Sequence, residues 1–196
     1  MAPQSLMLPG ARVEFAPDWM PAEAARALFD ALRADIHWEV HRIRLFGREV
    51  DSPRLSCWVG DPGTAYAYSG TRFEPNPWPA ALLPVRSALE AALGVPFNSV
   101  LANQYRDGRD YMGWHSDSEA GLGRQPVIAS LSLGAPRRFL LKPKAGGASH
   151  ALVLPSGSLL VMSGDTQRHW KHALPRTARP TGPRINLTFR RIVDPR

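Results

Sequence analysis

His115 and Asp117 stand two apart in the segment GWHSDSE. On an extended backbone that spacing projects both side chains from one face, so one imidazole and one carboxylate can approach a common ion. The pair alone is weak evidence, because six His and ten Asp among 196 residues produce about 0.3 such spacings by chance. Two more histidines follow in QRHWKHALP, His169 and His172, and either would complete a set of two His and one carboxylate. Three ligands of this kind leave three coordination positions open. That suits a non-haem iron(II) that must take a bidentate cosubstrate and dioxygen together, whereas a catalytic zinc site ordinarily keeps one position open.

The segment PRINLTFRRI supplies the independent support. As a β-strand it would put Arg184, Asn186, Thr188 and Arg190 on one face and Ile185, Leu187 and Phe189 on the other, the latter being core. Two guanidinium groups on an inward face are costly unless an anion meets them. Their planar forks match carboxylates, and a five-carbon diacid offers one at each end. The two Cα atoms would lie roughly 20 Å apart, so both side chains must lean inward. The strand VLANQYR adds Leu101, Asn103 and Tyr105 on one face, giving an apolar surface, an amide and a phenol hydroxyl for the same diacid.

The elements that must hold these residues are mostly strands. Short segments rich in β-formers cover 38–46, 55–59, 66–69, 97–106, 127–133, 138–142, 151–154, 159–162 and 184–193. Two helices are expected: PAEAARALFDALRADI, opening on Pro21 with an apolar face of Leu28, Phe29 and Leu32, and a second from about 79 to 93, with Pro84 near its start and Gly94 to end it. Nine strands against two helices suggest a sandwich or jelly roll. The breaks are turn-sized and no repeat is visible, so 1–196 reads as a single domain.

Composition bounds the rest. Cys57 is the only cysteine, which excludes an internal disulfide and a cysteine-rich zinc module, so any metal rests on His and carboxylate. The formal charge of +7 favours an anionic partner, nucleic acid ahead of a membrane surface. No secretory leader or membrane-spanning stretch is evident, and a cytoplasmic, monomeric protein that avoids membranes is expected.

The blocks NQYRDGRDYMGWHSDSE, IASLSLG, RRFLL, GSLLVMSG, HWKHALP and PRINLTFR, in that order, resemble the AlkB family of nucleic-acid dealkylating dioxygenases over roughly residues 36 to 192. They are most similar to its DNA-repair subgroup acting on duplex and single strands. The resemblance implies a mainly β fold with flanking helices, an α+β arrangement: a double-stranded β-helix core over about 97–193 and an N-terminal nucleotide-recognition lid over about 36–75. It implies iron(II) on His115, Asp117 and His172, the proline of WKHALP selecting His172 over His169. It also implies 2-oxoglutarate on Asn103, Tyr105, Arg184, Asn186 and Arg190. The implied activity uses O2 to turn the cosubstrate into succinate and CO2 and to hydroxylate an N-methyl group, which leaves as formaldehyde. The expected substrates are 1-methyladenine- and 3-methylcytosine-type bases in DNA.

A base in a duplex must be flipped out to reach iron, which calls for a stacking pocket and a wedge. The segment HRIRLFGREVDSPRLSCWVGDPGTAYAYSG resembles the family's lid, so Tyr66, Tyr68 and Ser69 are expected to line the flipped base. Glu119 would attract a cationic lesion. Ser118 stands where animal-type relatives often carry Asp, which bears on lesion preference. RLFGRE resembles the family hairpin that pushes a Phe into the base stack, which makes Phe46 the expected wedge and Arg54 a contact to DNA. Arg42, Arg44, Arg106, Arg109, Arg137 and Arg138 are further candidates for phosphate. RNA demethylation, transfer-RNA modification and silent binding of alkylated nucleic acid are the alternative readings.

Overall fold

The alternation along the last strand sets the plan of the molecule. The computed structural model describes residues 3–45, 48–68 and 71–193. In it Arg184–Arg190 form a strand, β15, with all seven residues buried. A strand buried on both faces lies inside a sheet covered on two sides. β15 pairs antiparallel with β8 (Ser99–Tyr105) and with β10 (Ile128–Gly134). The full sheet has seven strands: β1 (Gln4–Leu6), β2 (Arg12–Ala16), β13 (Leu159–Ser163), β10, β15, β8 and β5 (Leu55–Gly60), in that order. A second sheet of four runs β12 (His150–Leu154), β11 (Arg137–Pro143), β14 (Trp170–Leu174) and β9 (Met112–His115).

Two cores follow from the two faces of the large sheet. Ile185, Leu187 and Phe189 pack outward with Leu28 and Leu32 of α1 (Ala22–Asp35) and Val85 and Leu89 of α2 (Leu83–Leu93). On the other face, Tyr105, Ile128, Leu160 and Met162 meet Phe139, Leu141, Leu154, Trp170 and Leu174 of the small sheet. The polar residues of β15 point into this second layer, between the sheets, where unmatched charge is most expensive. The result is a mostly β jelly roll with helices on one side.

The strands expected in the second half of the chain all form, with ends shifted by a few residues. Pro84 lies in the first turn of α2 and Gly94 closes that helix at φ 67°, as expected; a 3-10 turn, Ala80–Leu82, precedes it. The expected strand over 38–46 is shorter. Among its described residues only Arg42–Leu45 (β3) is strand, paired with β4 (Arg48–Asp51), while Glu39 bridges Ser56 instead. A second ribbon joins β6 (Tyr66–Tyr68) to β7 (Thr71–Phe73). β5 falls inside the segment expected to be lid, yet pairs with β8 as an edge of the large sheet. β1, β2, β4, β7, β9 and β14 lie outside the strand segments expected from the sequence. Among the described residues no helix is long and apolar enough to cross a membrane.

Candidate active site

The two histidines and the aspartate converge where the small sheet ends. β14 pairs with β9 so that His172 lies opposite His115, and a bulge shifts the register between His172 and Leu174. Cross-strand partners are close, and the two imidazole centroids are 4.1 Å apart. Asp117 follows two residues after His115, and His115 Nε2 lies 3.8 Å from its Oδ1. One ligand atom from each of His115, Asp117 and His172 falls within 4.8 Å of the others. His169, at the end of the single-turn helix α3 (Thr166–His169), is exposed and takes no part in the cluster.

The protonation states suit metal binding. The His115 Nδ1 hydrogen bond to the carbonyl of Gly113, 2.8 Å, fixes that nitrogen as the donor and leaves Nε2 as the ligand. Burial, reinforced by His115, pulls the His172 imidazole down to about 3, and burial lowers His115 as well. Burial pushes the Asp117 carboxyl up, but Arg190 and both histidines outweigh it and the net shift is downward. The set therefore presents two neutral imidazoles and one carboxylate, the forms that ligate. Gln167 buttresses it, its Oε1 accepting the Asp117 backbone N–H at 2.9 Å and its Nε2 donating to Met162 Sδ.

Beside the cluster, the sheets enclose a small cavity lined by Leu101, Asn103, Tyr105, Ser130, Asn186 and Arg190 among others. The expected cosubstrate residues are brought together here by register: Arg184 is opposite Tyr105, and Asn186 is opposite Asn103. Arg190 Nη2 donates to Asp117 Oδ1 at 3.0 Å, which puts this guanidinium at the metal end. Arg184, six residues away, lies at the far end with no exposed surface. Its Nη2 reaches Ser132 Oγ at 2.9 Å and Asn186 Oδ1 at 2.8 Å, and its guanidinium lies 5.2 Å from the centre of the Tyr105 ring. Among the described residues, its Nε and Nη1 have no hydrogen-bond acceptor. Burial pulls this guanidinium down to about 10. A buried cation that touches the cavity-lining Asn186 and Tyr105, with two donors lacking an acceptor among the described residues, fits a carboxylate of a diacid, and the His/Asp/His donor set fits iron(II).

Other expected residues are placed differently. Arg54 is buried and donates from Nε to Asn103 Oδ1 at 2.7 Å, so it belongs to the wall of the site and is not an open contact for DNA phosphate. Arg137, another phosphate candidate, is buried too and donates to the carbonyls of Asp107, Asp110 and Pro175, tying together two loops at the site's edge. Arg106 pairs with Asp110 and Arg109 with Asp107. Glu119 precedes a 3-10 turn, Ala120–Leu122. Phe46 and Ser69 lie outside the described residues, and for Tyr66 and Tyr68 the backbone alone is described. Ser130, Ser132 and Gln167 were missed. Ser130 and Ser132 alternate with Ala129, Leu131 and Leu133 along β10 and were legible as a polar face, whereas nothing local marks Gln167.

A jelly roll holding two histidines and a carboxylate between its sheets defines a class, the non-haem iron oxygenases. Comparison agrees: the model of the 2OG-Fe(II) oxygenase superfamily matches residues 12–190. The alpha-ketoglutarate-dependent dioxygenase alkB homolog 3 of Bos taurus is 38% identical over 196 residues, covering 94% of this chain and 68% of that protein. The DNA oxidative demethylase ALKBH2 of Arabidopsis thaliana is 37% identical, covering 89% of this chain and 64% of that one. This chain thus spans about two thirds of the length of these relatives. The solved structure of OsALKBH1 matches with a TM-score of 0.66 over 96% of this chain and 99% of its own, at 16% identity, a likeness of fold. The chain belongs to the AlkB family of 2OG-Fe(II) oxygenases. It is a dioxygenase that uses iron(II), 2-oxoglutarate and O2.

Proposed function

We propose that this enzyme removes N-alkyl groups from bases in DNA by oxidation, acting on 1-methyladenine- and 3-methylcytosine-type lesions and releasing formaldehyde, succinate and CO2. The observation that carries the reading is that the layer between the sheets holds both the His115/Asp117/His172 cluster and the sealed Arg184 guanidinium, two of whose donors lack an acceptor among the described residues. Iron with 2-oxoglutarate, when bound, supplies the oxidising power that places one atom of O2 on the methyl carbon. In this reading His115, Asp117 and His172 hold the metal. Arg184 grips the far carboxylate of the cosubstrate with Tyr105 beside it. Asn103, Asn186 and Arg190 line the path back to the metal, and Arg190 steadies the Asp117 carboxylate through its 3.0 Å bond.

Residues 1–196 act as one dioxygenase domain, with a catalytic core at 97–193 and a nucleotide-recognition lid within 36–75, of which β5 belongs to the large sheet. Tyr66, Tyr68, Ser69 and Glu119 line the flipped base, Glu119 drawing in a cationic lesion, and Phe46 is the wedge. The relatives described as DNA oxidative demethylases and the net charge of +7 support DNA as the partner.

The test is a panel of methylated single- and double-stranded DNA and RNA oligonucleotides, incubated with protein, iron(II) and 2-oxoglutarate and scored by mass, formaldehyde and succinate. Demethylation of the DNA members is expected. Demethylation of RNA alone would move the enzyme to RNA, and binding without succinate or formaldehyde would make it a silent reader.

A further inference from the structure

The two parts of the chain carry opposite charge. Residues 120–193 contain twelve Lys and Arg and a single acidic residue, Asp165, whereas residues 1–119 contain eleven basic and fifteen acidic residues. The four strands of the small sheet contain no Asp or Glu at all. Three of the twelve cations, Arg137, Arg184 and Arg190, are buried in or beside the site. The rest lie on the surface, and those of the small sheet gather on its outer face.

Alternation puts them there. In β11, Arg137, Phe139 and Leu141 are buried while Arg138 is exposed and Lys142 half-buried; in β14, Lys171 is exposed between buried Trp170 and His172. Lys142 and Lys171 are directly opposed across the β11–β14 pair. Like charges in that relation repel, and an anion bound between them would relieve the repulsion. On the same face Trp114 is 40% exposed, with the Lys142 ammonium 5.2 Å from its ring centre. Near the end of the same strand, the Arg176 guanidinium sits 4.4 Å from the ring of Tyr111.

We propose that the outer face of this sheet is a second nucleic-acid contact, a platform on which an unpaired strand stacks a base on Trp114 and rests phosphates on Lys142, Lys171 and Arg138. An exposed indole beside an ammonium offers a base and its phosphate partners together, the combination that single-strand binders use without sequence preference. An unpaired strand is favoured over duplex because stacking on a side chain needs a base face that a duplex hides. The contact rests on nucleic acid being the substrate but lies outside the catalytic cavity. It would retain the strand flanking the target base.

The probe is an unmodified, labelled oligothymidylate of about fifteen nucleotides, bound by the full chain and read by fluorescence anisotropy across a salt series. Trp114→Ala is expected to weaken binding roughly tenfold. Lys142→Ala with Lys171→Ala is expected to flatten the plot of log affinity against log salt by about 1.4, two phosphates at roughly 0.7 each for a single strand. Lys142→Arg with Lys171→Arg should retain both affinity and slope, which separates charge from fold. Turnover of a methylated trinucleotide should be unchanged in the alanine pair, and its absence in wild type would count against the demethylase reading alone. Unaltered affinity and slope in the variants would overturn the platform. So would loss of binding to phosphatidylserine vesicles with oligonucleotide binding intact, which would assign the face to a membrane.

Discussion

A guanidinium with no exposed surface and two unmatched donors destabilises the protein that contains it unless a ligand repays the cost. Arg184→Met should therefore leave the free protein at least as stable as wild type while abolishing the thermal stabilisation that 2-oxoglutarate confers. The Michaelis constant for 2-oxoglutarate should rise by roughly 30-fold or more, since losing one partner of a buried charge pair costs about 2–5 kcal/mol. An unchanged constant would remove Arg184 from the cosubstrate site. The metal ligands make a separate prediction through pH. His172 lies at about 3 in the fold against an ordinary 6.5, so as pH falls the unfolded chain takes up the proton first. Stability fully present above pH 6.5 is then lost as pH drops from 6.5 toward 3, and His115, shifted the same way, adds to it. Urea midpoints of the metal-free protein between pH 7.5 and 5 should fall, and His172→Phe should flatten the slope; a wild-type profile already flat would contradict buried neutral imidazoles. Arg184 and Arg190 were legible because alternation reports a strand's faces. Gln167 was not, because its bond to the Asp117 amide joins positions fifty residues apart.

At the scale of elements, the pair of β3 and β4 flanks the proposed wedge. Leu45 is opposite Arg48, and Phe46, the expected wedge, follows Leu45 in the sequence. A wedge acts only where there is a stack to open. Phe46→Ala should depress demethylation of duplex substrate several-fold while sparing single strands, measured as kcat/KM on the same lesion in both contexts; equal losses would sink the wedge. Long alternating strands such as β15 and β10 were readable because their period repeats over seven residues. β9 and β14 are four and five residues long and carry functional histidines, so their strand character was hidden behind the motif. β1 and β2 are separated by Pro9 and Gly10 and bury few side chains, which left little pattern to read. Their stability comes from the edge of β13, which pairs with β2 across more than 140 residues of chain.

For the whole molecule, sequence pattern pointed to a sandwich or jelly roll, but the strand order could not be read from it. Every neighbour of β15 and β13 is distant in sequence, and such pairings are selected by burial of whole faces rather than by local preference. Burial of those faces leaves a cavity between the sheets lined by the His/Asp/His cluster and by Asn186, behind which Arg184 is buried. A fold built around such a cavity should be held together by what fills it. Ligands that bind only the folded state stabilise by mass action, about 2.7 kcal/mol at a hundred times the dissociation constant. In a chain of this length 1 kcal/mol shifts the melting midpoint by roughly 2–4 °C. Manganese(II), as a redox-silent stand-in for iron, should therefore raise the midpoint by roughly 5–10 °C at saturation. 2-Oxoglutarate should add a further increment that depends on the metal, because one end of the diacid needs the ion and the other needs Arg184. A chelator should reverse both increments together. Stabilisation by 2-oxoglutarate that persists in chelator would mean that the diacid binds without the metal, and the coupling between the two ends of the cavity would fall.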